Sequence, residues 1–132
     1  MELSALVNYV CGGRGWPMVP AGADFKVEVP TEPGRSQVVQ LTPGLDPDRR
    51  AMVWIWSSVC ELSAVADPLF LLRKNAELAY GGLALRGTTV MLVETRSMLA
   101  VDADDFANAI DHVARTADGL EKLAYGHAVD QR

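Results

Sequence analysis

Cys60, His112 and one of several carboxylates supply the residue types of a nucleophile, a general base and an orienting group. No nucleophile turn surrounds Cys60, which follows an apolar run and Val59, a context that suits an inert buried thiol. His112 falls between Ile110 and Val113 near the edge of an apolar helical face, where a solvated or interface histidine belongs. His127 is in the C-terminal tail. Asp102-Ala103-Asp104-Asp105 has acids suited to a calcium loop, but Phe106 and Ala107 stand where a ligand and a glycine are needed, so the run reads as a charged helix N-cap. Gly12-Gly13-Arg14-Gly15 has the glycines of a phosphate cradle, yet it follows a helical stretch and no Lys-Ser or Lys-Thr pair opens a helix after it. Two Cys and two His far apart match no zinc spacing. These patterns assign no catalytic residue, no metal and no cofactor. A small Cys60/His112-dependent enzyme is the alternative, and a structural subunit of a larger assembly a third reading.

The elements that would position any site belong to one domain, because 132 residues suit a single core. Apolar residues make up 49% of the chain and charged residues 22%, too hydrophobic a balance for disorder, so folding is expected to need no metal or disulfide. Seventeen acids against twelve bases give a net charge of −5, the wrong sign for neutralising phosphates or docking on anionic lipid. Nucleic acid and membrane are therefore not expected partners. Two cysteines, Cys11 and Cys60, are too few for a disulfide scaffold and point to thiols in a reducing cytoplasm, with a Cys11–Cys60 bridge left open. The start, Met1-Glu2-Leu3, carries an acid where a secretory signal carries Lys or Arg. The longest apolar runs are interrupted by Arg73-Lys74 and Arg86, short of the ~20 residues that cross a bilayer.

Leu3, Leu6, Val7 and Val10 predict a first helix that Gly12-Gly13 stops. Gly12 to Pro20 reads as an ordered loop anchored by Trp16. Phe25, Val27 and Val29 alternate as a strand closed by Pro30, and a turn at Glu32-Pro33-Gly34-Arg35 leads into a second strand over Ser36 to Thr42, ended by Pro43-Gly44. Met52-Val53-Trp54-Ile55-Trp56 is apolar throughout, as a central strand covered on both faces would be. Asp67-Pro68 opens a helix with a stripe of Leu69, Leu72, Ala76 and Ala79, terminated by Gly81-Gly82. Leu83 to Arg86 and Thr88 to Glu94 form a second hairpin. Asp102 caps a final helix whose core face runs Phe106, Ala109, Ile110, Val113, Ala117 and Leu120.

The expected architecture is α+β, in the order α-β-β-β-α-β-β-α, with a five-stranded, mainly antiparallel sheet packed by helices. It occupies residues 1–127, with a loose tail over 128–132. Leu71-Leu72-Arg73-Lys74-Asn75-Ala76, then Tyr80-Gly81-Gly82-Leu83-Ala84-Leu85, Val90-Met91-Leu92-Val93 and the capped last helix together resemble the class I chaperones of bacterial type III secretion and the related YbjN-type domains. The resemblance implies a cytosolic homodimer that wraps an extended segment of a client protein on hydrophobic surface, without catalysis.

Side chains alternate across a strand, so Met52, Trp54 and Trp56 share one face and Val53 and Ile55 the other. Buried aromatics of an ordinary core are the commoner outcome. A half-covered face would instead offer Met52, Trp54 and Trp56 to a client strand or a second copy. Asn75 is expected to satisfy backbone groups where its helix meets the next strand, with Gly81, Gly82 and Asp102 as the other structural positions. The function so predicted is that of a chaperone-like or adaptor protein in the cytoplasm.

Overall fold

Period-two alternation recurs along four neighbouring strands and fixes which side of the sheet is dry. The computed structural model describes residues 2–125; His127 and the tail at 128–132 lie outside them. Helix α1 (Leu3–Arg14) precedes strands β1 (Met18–Ala21), β2 (Asp24–Glu32), β3 (Arg35–Leu45) and β4 (Ala51–Glu61). A short 3₁₀ turn (Leu62–Ala64), helix α2 (Leu69–Asn75), strands β5 (Gly82–Arg86) and β6 (Thr89–Ser97) and helix α3 (Ala103–Tyr125) follow. All strand pairs are antiparallel, in the order β1-β2-β3-β4-β6-β5.

The fold is therefore α+β, but with six strands where the sequence pattern shows five. The additional strand, β1, lies inside the segment expected to be a loop, pairing Met18 with Val27 and Ala21 with Asp24. It is held by the edge of β2 and by Met18 packed on the core, and Pro20 and the lack of alternation hide it in the sequence. Trp16 is buried just before it, as an anchor should be.

One face of the sheet carries Val27, Val29, Val39, Leu41, Val53, Ile55, Val90 and Leu92, all essentially inaccessible. Phe106, Ile110, Val113 and Ala117 of α3 and Leu6, Val7 and Val10 of α1 complete this core. Fully burying a side chain of this size is worth about 1.5–3 kcal/mol, so this single layer accounts for most of the driving force. Asp102 caps α3, its Oδ2 accepting from the Asp105 amide at 3.2 Å.

Several boundaries differ from the sequence reading for tertiary reasons. Strand β2 is not closed by Pro30 but runs on to Glu32, with Pro30 paired to Ser36 and a register shift before Glu32 pairs with Arg35. Helix α1 continues through Gly12-Gly13 to Arg14 and stops at Gly15, whose φ of 71° turns the chain, because Val10 and Cys11 are buried and hold the last turn on the core. Strand β3 continues through Pro43-Gly44, which pair with Val53 and Met52. Gly44 is required there: a Cβ would stand 2.6 Å from Cζ3 of Trp54. Helix α2 is one short element of 7 residues with no buried side chain. Leu69 and Leu72, expected inside, point outward, while Leu71 is half-buried and packs on the core. It ends at Asn75, short of Gly81-Gly82; Gly81, at φ 74°, turns the chain into β5, which Gly82 begins.

Candidate functional site

Among the described residues, two apolar surfaces outside the core stand out. The first is the sheet face away from the helices. Strand β4 is central but covered on one side only, since α1 and α3 both pack on the Val53/Ile55 face. Met52, Trp54 and Trp56 are half-buried on the other face, without a helix over them. Cross-strand register surrounds them with Thr42 and Thr95 beside Trp54, and Gln40 and Val93 beside Trp56. Val38, farther along β3 on the same side, is 53% exposed.

A polar relay holds Trp56. Its Nε1 donates to Thr42 Oγ1 at 3.1 Å, Thr42 donates to Asp24 Oδ2 at 3.1 Å, and Gln40 Nε2 donates to the same carboxylate oxygen at 2.5 Å. Arg86 reaches across from β5, its guanidinium 4.3 Å from the Trp56 ring centroid, and donates to Gln40 Oε1 at 3.1 Å. Cation–π stacking and four linked hydrogen bonds thus set the ring in one orientation. Asp24, Gln40, Thr42 and Arg86 did not stand out in the sequence as a group; the alternate spacing of Gln40 and Thr42 on β3 is its one local trace.

The second surface is a groove of about 330 Å³ between the 3₁₀–α2 segment and the C-terminal end of α3. Val59, Cys60, Val65, Phe70, Leu71, Leu83, Leu120 and Leu123 are among its lining residues. Phe70, Leu69, Leu72, Leu85 and Leu123 are all exposed on α2, β5 and the end of α3. A β-bulge between Ser58 and Cys60 turns Val59 and Cys60 both inward. Gln37 secures this bulge, donating from Nε2 to the Ser58 carbonyl at 2.7 Å and to Ser57 Oγ at 3.0 Å.

Asn75 joins the groove to the sheet edge. Its Oδ1 accepts from the Leu83 amide at 2.6 Å and its Nδ2 donates to the Leu83 carbonyl at 3.4 Å. Strand β5 is the last in the sheet, so these are the two backbone groups that Leu83 turns away from β6. The Asn75 amide reproduces the pair of bonds that a residue of a further strand would make. Leu85, two residues on, turns its backbone the same way.

Cys60 and His112 are not brought together. Cys60 lines the groove, whereas His112 lines a separate depression beside Tyr80, Glu94 and Arg96. Leu120, the first groove residue on α3, lies about 12 Å of helix rise beyond His112 at ~1.5 Å per residue. The Cys60 thiol is pushed above its ordinary value, first by burial and then by the charges of Glu61 and Glu121, and Cys11 is raised by burial. Both thiols are free and buried, poor nucleophiles in this state.

Asp118 is, with Glu94, one of two buried carboxylates among the described residues. Burial alone would raise its carboxyl, but hydrogen bonds from Arg35 Nη2 at 2.5 Å and Nε at 3.2 Å, with the charges of Arg35 and Lys122, hold it below its ordinary value. This pair ties the start of β3 to α3.

Among the described residues no group of three His, Cys, Asp or Glu side chains is placed to hold a metal ion, and no helix is long and apolar enough to cross a membrane. The chain matches no protein-family model and no curated protein.

Proposed function

We propose that this protein is a non-catalytic chaperone-like or adaptor protein that holds an extended segment of a client polypeptide. The observation that carries the reading is the groove beside α2: an apolar slot bordered by exposed Phe70 and Leu123 and by Leu83 of an edge strand. Apolar side chains of a client seat in such a slot while its backbone runs along the strand edge. Leu85 offers outward backbone groups there, and Asn75 limits pairing at Leu83.

The helix-free sheet face, with Met52, Trp54 and Trp56, is the surface we assign to a second copy of the chain in a homodimer. Trp and Met are enriched at such interfaces, and the relay through Thr42 and Asp24 pre-orders the Trp56 ring. The resemblance of the α2–β5–β6–α3 segment to class I secretion chaperones and YbjN-type domains supports both assignments and a cytoplasmic setting. Strand β1 is an addition to that pattern.

The test uses tagged protein in its native cytosol, with light scattering on the purified product and two surface variants. Val38→Lys places a charge on the sheet face, and Leu123→Asp places one at the groove; both positions are exposed, so the fold survives. The reading requires a wild-type dimer, a monomeric Val38→Lys, and a Leu123→Asp that stays dimeric but loses the stoichiometric client. A wild-type protein that is monomeric and partner-free sinks it.

A further inference from the structure

The two edges of the sheet are closed in different ways. Strand β1 carries exposed Pro20, which has no N–H to offer a neighbour, so that position is blocked for good. Strand β5 is blocked by a side chain from outside the sheet. Its outward backbone groups belong to Leu83 and Leu85, and the amide of Asn75 takes both groups of Leu83, accepting from the N–H at 2.6 Å and donating to the carbonyl at 3.4 Å. One rotation of that side chain frees both groups at once.

Little else holds α2 against β5. Over residues 67–78 the two ion pairs, Arg73 with Asp67 and Lys74 with Glu77, close within the stretch. Its other hydrogen bonds close within it too, so among the described residues the two from Asn75 are the ones that leave it. Leu71 and Leu78, both half-buried, are its apolar anchors. Beside the groove of about 330 Å³, a second cavity of about 220 Å³ lies between α2 and β5, with Asn75 in its wall, so the amide has space to turn into.

We propose that Asn75 is a latch, standing in for a client strand at Leu83 and giving way to it. The latch belongs to the client site proposed above and rests on that reading. With the latch shut, Leu85 alone offers its N–H and carbonyl; with it open, Leu83 and Leu85 offer them at alternate residues, as an antiparallel partner requires. The incoming segment sets every second side chain against Leu62, Leu71, Leu83 and Leu85, and the others beside Gly82 and Ala84 on the opposite face. Its chemistry is therefore an extended backbone with apolar residues at alternate positions. Affinity falls with the fraction of protein whose latch is open, and a helical segment gains nothing from opening it, so the latch selects extended clients.

The probe is a short acetylated, amidated peptide of alternating threonine and leucine, with a peptide of the same composition and its leucines in one run as control. Wild type should bind the alternating peptide saturably, and Asn75→Ala about tenfold more tightly, because two hydrogen bonds no longer have to be exchanged. Pairing has its signature at Leu83: its amide exchanges fast in free Asn75→Ala and should regain protection when the peptide binds. Asn75→Asp keeps the acceptor of the 2.6 Å bond and gives up the donor of the 3.4 Å bond, so it should fold even if Asn75→Ala does not, and bind with intermediate affinity. The latch is overturned, and the client reading left standing, if wild type and both variants bind the peptide alike, if the variants bind it more weakly than wild type, or if the Leu83 amide stays unprotected in the complex. Equal binding of the control also overturns it, since apolar seating without strand pairing would then suffice. A peptide that saturates none of the three proteins overturns the strand-edge client reading as well.

Discussion

The helix-free sheet face and the α2 groove are both apolar surfaces left outside the core, but they are held in opposite ways. On the sheet face every strand is paired on both sides near Trp56, and a polar relay clamps the ring. At the groove, α2 buries no side chain and hangs on the edge strand through the amide of Asn75. Few buried contacts mean a low cost of local opening, so the groove can adapt to an irregular segment while the sheet face presents one fixed shape. A fixed shape suits an identical copy, and an adaptable one suits varied client side chains.

Substitutions separate the two regions by the size of their effects. Phe106→Ala empties the core beneath both, and about 3–5 kcal/mol of stability should be lost in denaturant unfolding, with both surfaces failing together. Asn75→Ala strands two backbone groups of Leu83 and should cost about 1–3 kcal/mol. Its signature is local: hydrogen exchange at Leu83 accelerates while the amides of β4 stay protected. Equal acceleration in both strands would mean that α2 and the sheet open as one unit, against the contrast drawn above.

Acid titration probes the tie between sheet and helices that both regions share. The Asp118 carboxyl lies below its unfolded value of ~3.9. Its stabilisation is therefore fully present above that value and is lost as the pH falls through the depressed native value. Thermal melts of wild type from neutral pH downward should show this loss, and Asp118→Asn, less stable at neutral pH, should lack that component of the acid response. Parallel curves for the two proteins would remove Asp118 from the account.

On the sheet face the effects are smaller. Gly44→Ala pushes on the Trp54 ring and should cost about 1 kcal/mol, with a shift in tryptophan emission. Arg86→Ala removes the stacking over Trp56 and should cost no more than about 0.5–1 kcal/mol, because this arginine is exposed. If Arg86→Ala also leaves the proposed dimer unchanged, the relay through Thr42 suffices to hold Trp56.

Much of this fold is legible in short stretches of sequence. Val27 and Val29, Val39 and Leu41, Val53 and Ile55 keep a period of two, and Phe106 to Leu120 keeps the helical period, because one face of each is dry. Gly34 and Gly87 mark their turns for an equally local reason, with φ of 79° and 63°. The expected site was legible only in part. Trp54 and Trp56 showed that one face of β4 is aromatic, but not that the face lacks a covering helix, and the groove was invisible because Leu69 and Leu72 suggested the wrong side of α2.

Local periodicity thus determined the α+β class, the hairpins, the central strand and the long capped helix. Tertiary structure alone decided the sixth strand, the reach of α1 past its glycines and of β3 past Pro43, the facing of α2, and the meeting of Tyr80, Glu94 and His112. Each of these depends on partners far away in sequence: β1 exists by pairing with β2, α1 is held by the core, and Glu94 is buried only because α3 packs over its strand. A hydrophobic period records which side of an element is dry, whereas the element that dries it is set by long-range packing.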